Sequence, residues 1–321
     1  MPVDFRGWLQ KSADRISSDP KTGIPRSLYY AYVGGLLTAS KQKPVGTNVF
    51  TRDWDVLVIL DACRVDAIRE VANEYNFIST VDSIWSVGST SFEWLPLTFQ
   101  KRHMSEIQTT AYISGNPYIT PVFREKKEPP VNQPIPLGPT NYNVADPEDF
   151  LFLDEVREYG VNDEKKCVLP RTMTDRAVDV SRSLNPDRLV VHYMQPHEPH
   201  IGDEKGLGRN VFVPLRKGQI TKHEAWESYL ENLRVVLDEL ELLLSNIDAE
   251  KVVISADHGE AFGEFGFYAH QIGCPLPGVR KVPWVETTAT DENMYVPKVK
   301  PENEQIEENN LEDHLADLGY L

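Results

Sequence analysis

The segment Lys251 to His270, KVVISADHGEAFGEFGFYAH, sets a carboxylate and an imidazole side by side, Asp257 and His258, just after the apolar run Val252-Val253-Ile254. Oxygen and nitrogen donors held together at the end of a buried strand suit a divalent metal such as Zn or Mn. A glycine-punctuated loop through Gly263 and Gly266 then ends at His270. Three other stretches carry comparable chemistry. Asp61 ends the run DVLVIL at a strand-to-helix junction, where an Asp either caps the helix or offers a ligand. Gly88-Ser89-Thr90-Ser91 is a hydroxyl-rich turn before a helix start at Phe92. A hydroxyl there can cap the helix or act as a nucleophile beside oriented backbone amides. YMQPHEPH sets His197 and His200 on a proline-stiffened loop beyond the run RLVVH, and stiffness serves a ligand. Cys63 reads as a small packed residue, since no neighbour would lower its pKa.

A scaffold must bring these segments together. Asp55 to Leu60 and Arg188 to His192 are nearly unbroken apolar runs, as in strands buried on both faces. Residues 252 to 255 form a third such run, and TAYISGN, residues 110 to 116, a further short strand and turn. From His223 to Ile247, Trp226, Leu230, Leu233, Leu237 and Leu240 recur at helical spacing with charges opposite. This predicts a crossover helix that joins the 188–192 and 252–255 strands in a βαβ unit. The expected fold is α/β, a mixed, mostly parallel central sheet with helices on both faces and ligands at its carboxyl edge. Helices are also predicted over Trp8 to Ile16, Asp149 to Asp163, Thr172 to Leu184 with Thr174 as its cap, and Ile306 to Leu318. The chain divides into a helical arm over 1–50 and a main domain over 51–321. Eight prolines between 117 and 148 mark an extended insertion, the kind of loop that serves as a lid or specificity segment.

Composition narrows the function. A net charge of −16, with 49 acidic against 33 basic residues, argues against a general affinity for nucleic acid or anionic membrane. Three cysteines without CxxC spacing argue against a disulfide framework and a zinc-thiolate site. The charged N-terminus lacks the apolar core of a signal peptide. Ser27 to Leu37 is too short to span a bilayer. The expectation is a cytoplasmic protein without a transmembrane segment.

In order along the chain, VILDACRVD, GSTSFEWLPLT, YMQPHEPH, ADHGEAFGEFGFYAH and RKVPW resemble the sulfatase-like branch of the alkaline phosphatase superfamily. The resemblance runs from about residue 53 to 321, with LEDHLADLGYL similar to a terminal helix of that family and the DHGE segment most specific. It implies a metal-coordinated hydroxyl or formylglycine that attacks phosphorus or sulfur. Asp61, Asp257 and His258 would hold one cation with the Thr90 hydroxyl, since a metal lowers the pKa of a bound hydroxyl and stabilises developing charge. His197 and His270 would complete a second metal site or protonate the leaving oxygen. Arg64 and His200 would contact substrate. Sulfatases mature a Cys within C-x-P-x-R or a similar stretch, but Thr90-Ser91-Phe92-Glu93-Trp94 holds neither Cys nor Arg. Formylglycine cannot form there, so phosphoryl transfer is expected ahead of sulfate ester hydrolysis, with Ser89 as the fallback nucleophile. Gln195 stands where two-metal relatives carry Asp, so one tightly bound divalent ion (Zn, Mn, Mg or Ca) is expected. The implied substrate is a small-molecule or glycan-linked phosphate or sulfate ester, with no nucleic acid involved. The alternatives are a sulfuric ester hydrolase without formylglycine, or a degenerate member that binds a phosphorylated or sulfated glycan without turnover.

Overall fold

The apolar runs assemble into one sheet. The computed structural model describes residues 3–130, 133–138, 141–202, 207 and 210–299. Its strands are β1 (Val56–Leu60), β2 (Asp82–Trp85), β3 (Thr110–Ser114), β4 (Phe152–Glu155), β5 (Arg188–Tyr193), β6 (Ala249–Ser255), the short pair β7 (Ala261–Phe262) and β8 (Tyr268–Ala269), and β9 (Lys281–Ala289). Seven form a sheet in the order β2-β9-β6-β1-β5-β3-β4. β9 runs antiparallel to both β6 and β2, while β6, β1, β5, β3 and β4 pair in parallel. Every residue of β1 and β3 is buried, as expected where parallel strands are covered on both faces.

The helices are α1 (Phe5–Ser18), α2 (Pro20–Gln42), α3 (Val65–Val71), α4 (Ser91–Thr98), α5 (Met104–Ile107), α6 (Pro170–Leu184), α7 (Phe212–Arg216), α8 (Lys222–Leu244) and α9 (Pro277–Arg280). Two adjacent residues of β5 locate the helical layers. The Tyr193 hydroxyl bonds Thr174 of α6, whereas the His192 ring lies edge-on to Trp94 of α4. Successive strand side chains point to opposite faces, so α4 and α6 cover opposite faces of the sheet. α8 packs beside α6 and α3, and carries the chain across β1 from β5 to β6. Thr221 and Glu224 start α8 with a reciprocal capping box. Among the described residues no helix is long and apolar enough to cross a membrane.

The structure revises two local expectations. Asp149–Asp163 is not a helix: Phe152–Glu155 is the edge strand β4, paired with β3, followed by a short 3-10 turn over Val156–Glu158. Its local apolar pattern suits a helix, but the free edge of β3 supplies non-local hydrogen bonds that decide for a strand. Thr174 lies inside α6, which starts at Pro170 after Leu169, and its hydroxyl is spent on Tyr193. The Ile306–Leu318 helix lies outside the described residues.

Candidate active site

The carboxyl ends of four neighbouring strands, β6, β1, β5 and β3, deliver the chemistry to one place. Asp61 follows β1 and donates its amide to Tyr193 O at 3.0 Å. Ala62 then takes a left-handed φ of 62°, a costly conformation for alanine. Its amide donates to Asp257 Oδ1 at 3.1 Å, which ties the two strand ends together. The His258 amide donates to the same oxygen at 2.8 Å. Gly259 allows the next turn. Its amide reaches Val279 O at 2.7 Å, and a Cβ there would lie 2.2 Å from Gly278 O, so no side chain fits.

Asp61, Asp257 and His258 form one wholly buried cluster whose ligand atoms lie within 4.8 Å of one another. His258 Nδ1 lies 2.9 Å from Gly259 O, and a carbonyl can only accept. Nε2 is therefore the unprotonated nitrogen of the neutral ring. It faces Asp257 Oδ2 at 3.4 Å and Asp61 Oδ1 at 3.6 Å. Burial lowers the His258 pKa to about 4, which keeps this ring neutral. Burial, with Asp257 and Glu260 nearby, pushes the Asp61 carboxyl well above its ordinary range. His192 joins from below: its Nε2 is 3.7 Å from Asp61 Oδ2 and 3.8 Å from Asp257 Oδ2, with Nδ1 bonded to the Tyr112 hydroxyl at 2.9 Å. Asn116, just past β3, donates to Asp61 Oδ2 at 2.8 Å.

Three buried atoms here have no hydrogen-bond partner: Asp61 Oδ1, Asp257 Oδ2 and His192 Nε2. An orphaned buried acceptor is costly, and several facing one another are costlier. Two carboxylates with unsatisfied oxygens and an imidazole lone pair are the donor set of a divalent cation. The residues present fit that ion.

The second cluster, His197, Glu260 and His270, adjoins the first and is half-buried. The His258 and His270 ring centroids are 4.3 Å apart. His270 Nδ1 bonds Glu260 Oε1 at 2.6 Å. Burial alone would lower the His270 pKa, but the Glu260 carboxylate outweighs it and raises the value. The same pairing outweighs burial and lowers that of Glu260. His197 donates from Nδ1 to Glu198 O at 2.6 Å, and its pKa is lowered by burial and then by His270.

The hydroxyl turn sorts its members by role. Thr90 is the N-cap of α4, and its side chain accepts from the Glu93 amide at 3.1 Å. Ser91 Oγ, one residue on, lies 3.2 Å from Asp61 Oδ2 and 3.4 Å from His258 Nε2. Ser89 Oγ is engaged by buried Glu93 and by Gln271 O and the Cys274 amide. Arg64 spends its guanidinium on Asp66, Glu264 and Glu260 O, stacked on Trp226. His200 bonds Ser228 on α8 at 2.8 Å. The fold thus gathers Asp61, Asp257, His258, His197 and His270, caps a helix with Thr90, and leaves Arg64 and His200 holding loops. Gln195 is buried, with Nε2 3.4 Å from Val168 O. Cys63 is buried, and burial raises its thiol pKa.

Sequence reasoning passed over Ser91, Glu260, Asn116 and His192. Glu260 had a signal, its place in ADHGEAFGEFGFYAH two residues after His258. Asn116 and His192 had none, because only strand register brings them to Asp61.

The fold and these clusters define an α/β protein with a candidate cation centre at the carboxyl edge of its sheet. No protein-family model matches the sequence, and no curated protein is similar to it. Solved structures are similar in fold. The soluble domain of lipooligosaccharide phosphoethanolamine transferase A from Neisseria meningitidis is 14% identical, with a TM-score of 0.47, over 74% of this chain and 77% of that one. Against the integral membrane form of that transferase the chain spans 48% of its length. The C-terminal periplasmic domain of EcEptC from Escherichia coli, solved with Zn, is 11% identical with a TM-score of 0.47, over 77% and 76% of the two chains. A 2-O GAG sulfatase is 13% identical with a TM-score of 0.39, over 74% and 65%. At these identities the likeness concerns the fold, and the chemistry below rests on the residues. The cytoplasmic expectation is withdrawn. It conflicts with neighbours that are periplasmic domains, and a low cysteine count does not fix a compartment.

Proposed function

We propose that this chain is a divalent-metal-dependent phosphoric ester hydrolase or phosphotransferase that works through a hydroxyl at the start of α4. The observation that carries it is the pair of unpartnered carboxylate oxygens, Asp61 Oδ1 and Asp257 Oδ2, facing His258 Nε2 beside the Ser91 hydroxyl. Asp61, Asp257 and His258 would hold the ion. When bound, it supplies Lewis acidity and a lowered hydroxyl pKa.

Ser91 Oγ–H has a proton acceptor in Asp61 Oδ2. Its oxygen attacks phosphorus, forming an O–P bond to Ser91 while the ester O–P bond breaks. The leaving oxygen takes a proton from His270, whose protonated form is favoured by Glu260. Water, or an acceptor alcohol, then attacks phosphorus: its O–H proton passes to His270, a new O–P bond forms, the Ser91 O–P bond breaks, and the proton held by Asp61 returns to Ser91 Oγ.

Thr90 is the second reading, because it is half-buried whereas Ser91 is only 4% exposed. The test is turnover of aryl phosphate mono- and diesters, with aryl sulfate alongside, in the metal-loaded protein. Ser91→Ala is expected to abolish turnover while Thr90→Ala keeps most of it. The reverse result transfers the role to Thr90, and turnover in both variants defeats the hydroxyl mechanism. Turnover of the sulfate alone favours a sulfuric ester hydrolase. Ligand binding without turnover, unaffected by chelation, favours the degenerate binding protein.

A further inference from the structure

The helical arm differs in charge from the rest of the molecule. Residues 1–50 hold seven basic and three acidic side chains, a net +4, which leaves −20 on the remainder of a −16 chain. α1 and α2 are joined by Asp19 alone and pack closely: the Trp8 indole donates to Ser27 O at 3.3 Å, and a Cβ on Gly23 would lie 2.5 Å from Arg15 O. The inner side of α2 is satisfied, with Val33 and Leu37 buried against Ile135. Its outer side is not. Ile24, Leu28 and Tyr32, spaced four apart on one face, are exposed, Leu28 at 65%. Phe5 and Leu9 of α1 are exposed as well, and the exposed Arg6 and Lys21 stand one helical turn from Leu9 and Ile24.

We infer that this face of the α1–α2 hairpin docks on an anionic lipid surface, with both helices lying in the interface plane. Exposed aliphatic and aromatic side chains interleaved with cations are what such a surface takes up. A second copy is a poorer occupant, since a symmetric pair would set +4 against +4. The −20 remainder is repelled by the same lipid, which fixes the orientation. The Tyr29 hydroxyl of α2 donates to Ile272 O at 2.8 Å, two residues beyond His270. α2 therefore packs against the loop that follows His270. This inference goes beyond the proposed chemistry and does not rest on it.

The test is flotation of the full chain with phosphatidylcholine vesicles and with vesicles that also contain phosphatidylglycerol. Binding to the anionic vesicles alone, weakened by salt, is expected. Arg6→Ala and Lys21→Ala should each lower partitioning about fivefold, the equivalent of ~1 kcal/mol per basic side chain. Leu9→Glu/Leu28→Glu should abolish it, while circular dichroism and turnover of a soluble ester stay unchanged. Equal binding to both vesicle types, or none, overturns the inference. So does a dimer in sedimentation that Leu28→Glu splits without any vesicle binding. Binding seen only after deletion of 301–321, which hold seven acidic and no basic residues, also overturns it for the intact chain, because that segment would then be the occupant.

Discussion

The two His/carboxylate clusters share a wall, yet they meet burial in opposite ways. In the second, Glu260 and His270 satisfy each other across 2.6 Å, and each shifts the other toward its charged form. In the first, Asp61 and Asp257 leave carboxylate oxygens unpartnered, with His192 Nε2 unpartnered beside them, although all three residues are essentially inaccessible to water. An unsatisfied buried polar group costs about 1–3 kcal/mol, and buried charges of one sign demand a counter-charge. The first cluster is built to receive a positive charge, the second to keep its own. Their scaffolding matches. The first sits directly on the ends of β1 and β6, while His197 and His270 ride on loops. A cation site needs fixed donors, whereas a proton donor needs access to the leaving group.

The sharpest way to break this contrast is Asp257→Asn. It should empty the metal from the purified protein and cut turnover by at least ~10²–10³-fold, read by elemental analysis beside steady-state kinetics. A variant that keeps both would abolish the distinction. Acid should then act on the metal-free protein. Burial holds His192 and His258 at about 4 against an ordinary 6.5. Below 6.5 the unfolded chain takes up protons that the folded chain refuses until near 4. Stability should therefore be full above that window and fall by a few kcal/mol as pH drops from 6.5 to 4. Chemical denaturation of chelated protein at several pH values measures it, and a flat profile contradicts it. Saturating metal should raise stability at neutral pH and steepen the slope, because protons compete with the ion for the same ligand atoms.

A smaller effect sharpens the role of the second cluster. Glu260→Gln should keep the metal of the first site but lower kcat about 10–100-fold. Without its carboxylate partner the His270 pKa falls. Activity that needs protonated His270 would then be lost at lower pH, so the alkaline limb of the pH–rate profile should move in the acid direction. An unmoved limb would exclude His270 as the proton donor. Least of all, Thr90→Ala should cost about 1 kcal/mol of stability through the lost α4 cap, seen as an earlier urea midpoint, with metal content unchanged.

The elements around the first cluster were legible because their signals are local. DVLVIL and RLVVH read as strands from unbroken apolar runs, and they are β1 and β5. The three-and-four spacing of Leu230, Leu233 and Leu237 is the buried stripe of α8. Phe152–Glu155 misled, since its residues fit a helix as readily as a strand and only the vacant edge of β3 decides between them. Thr90 and Ser91 are adjacent hydroxyls with no local difference. The start of α4 separates them by turning one to the helix amides and the other to Asp61.

By itself the sequence determined the α/β class, the strand ends that carry Asp61, Asp257 and His258, and the overall excess of negative charge. Periodicity and composition are local or additive, so they survive without coordinates. Tertiary structure alone decided that Asn116 and His192 meet Asp61, that Glu260 pairs with His270 and raises its pKa, and that the basic arm leaves an apolar face uncovered. Those facts depend on strand order, side-chain direction and what covers what, and a linear chain encodes them only through its fold.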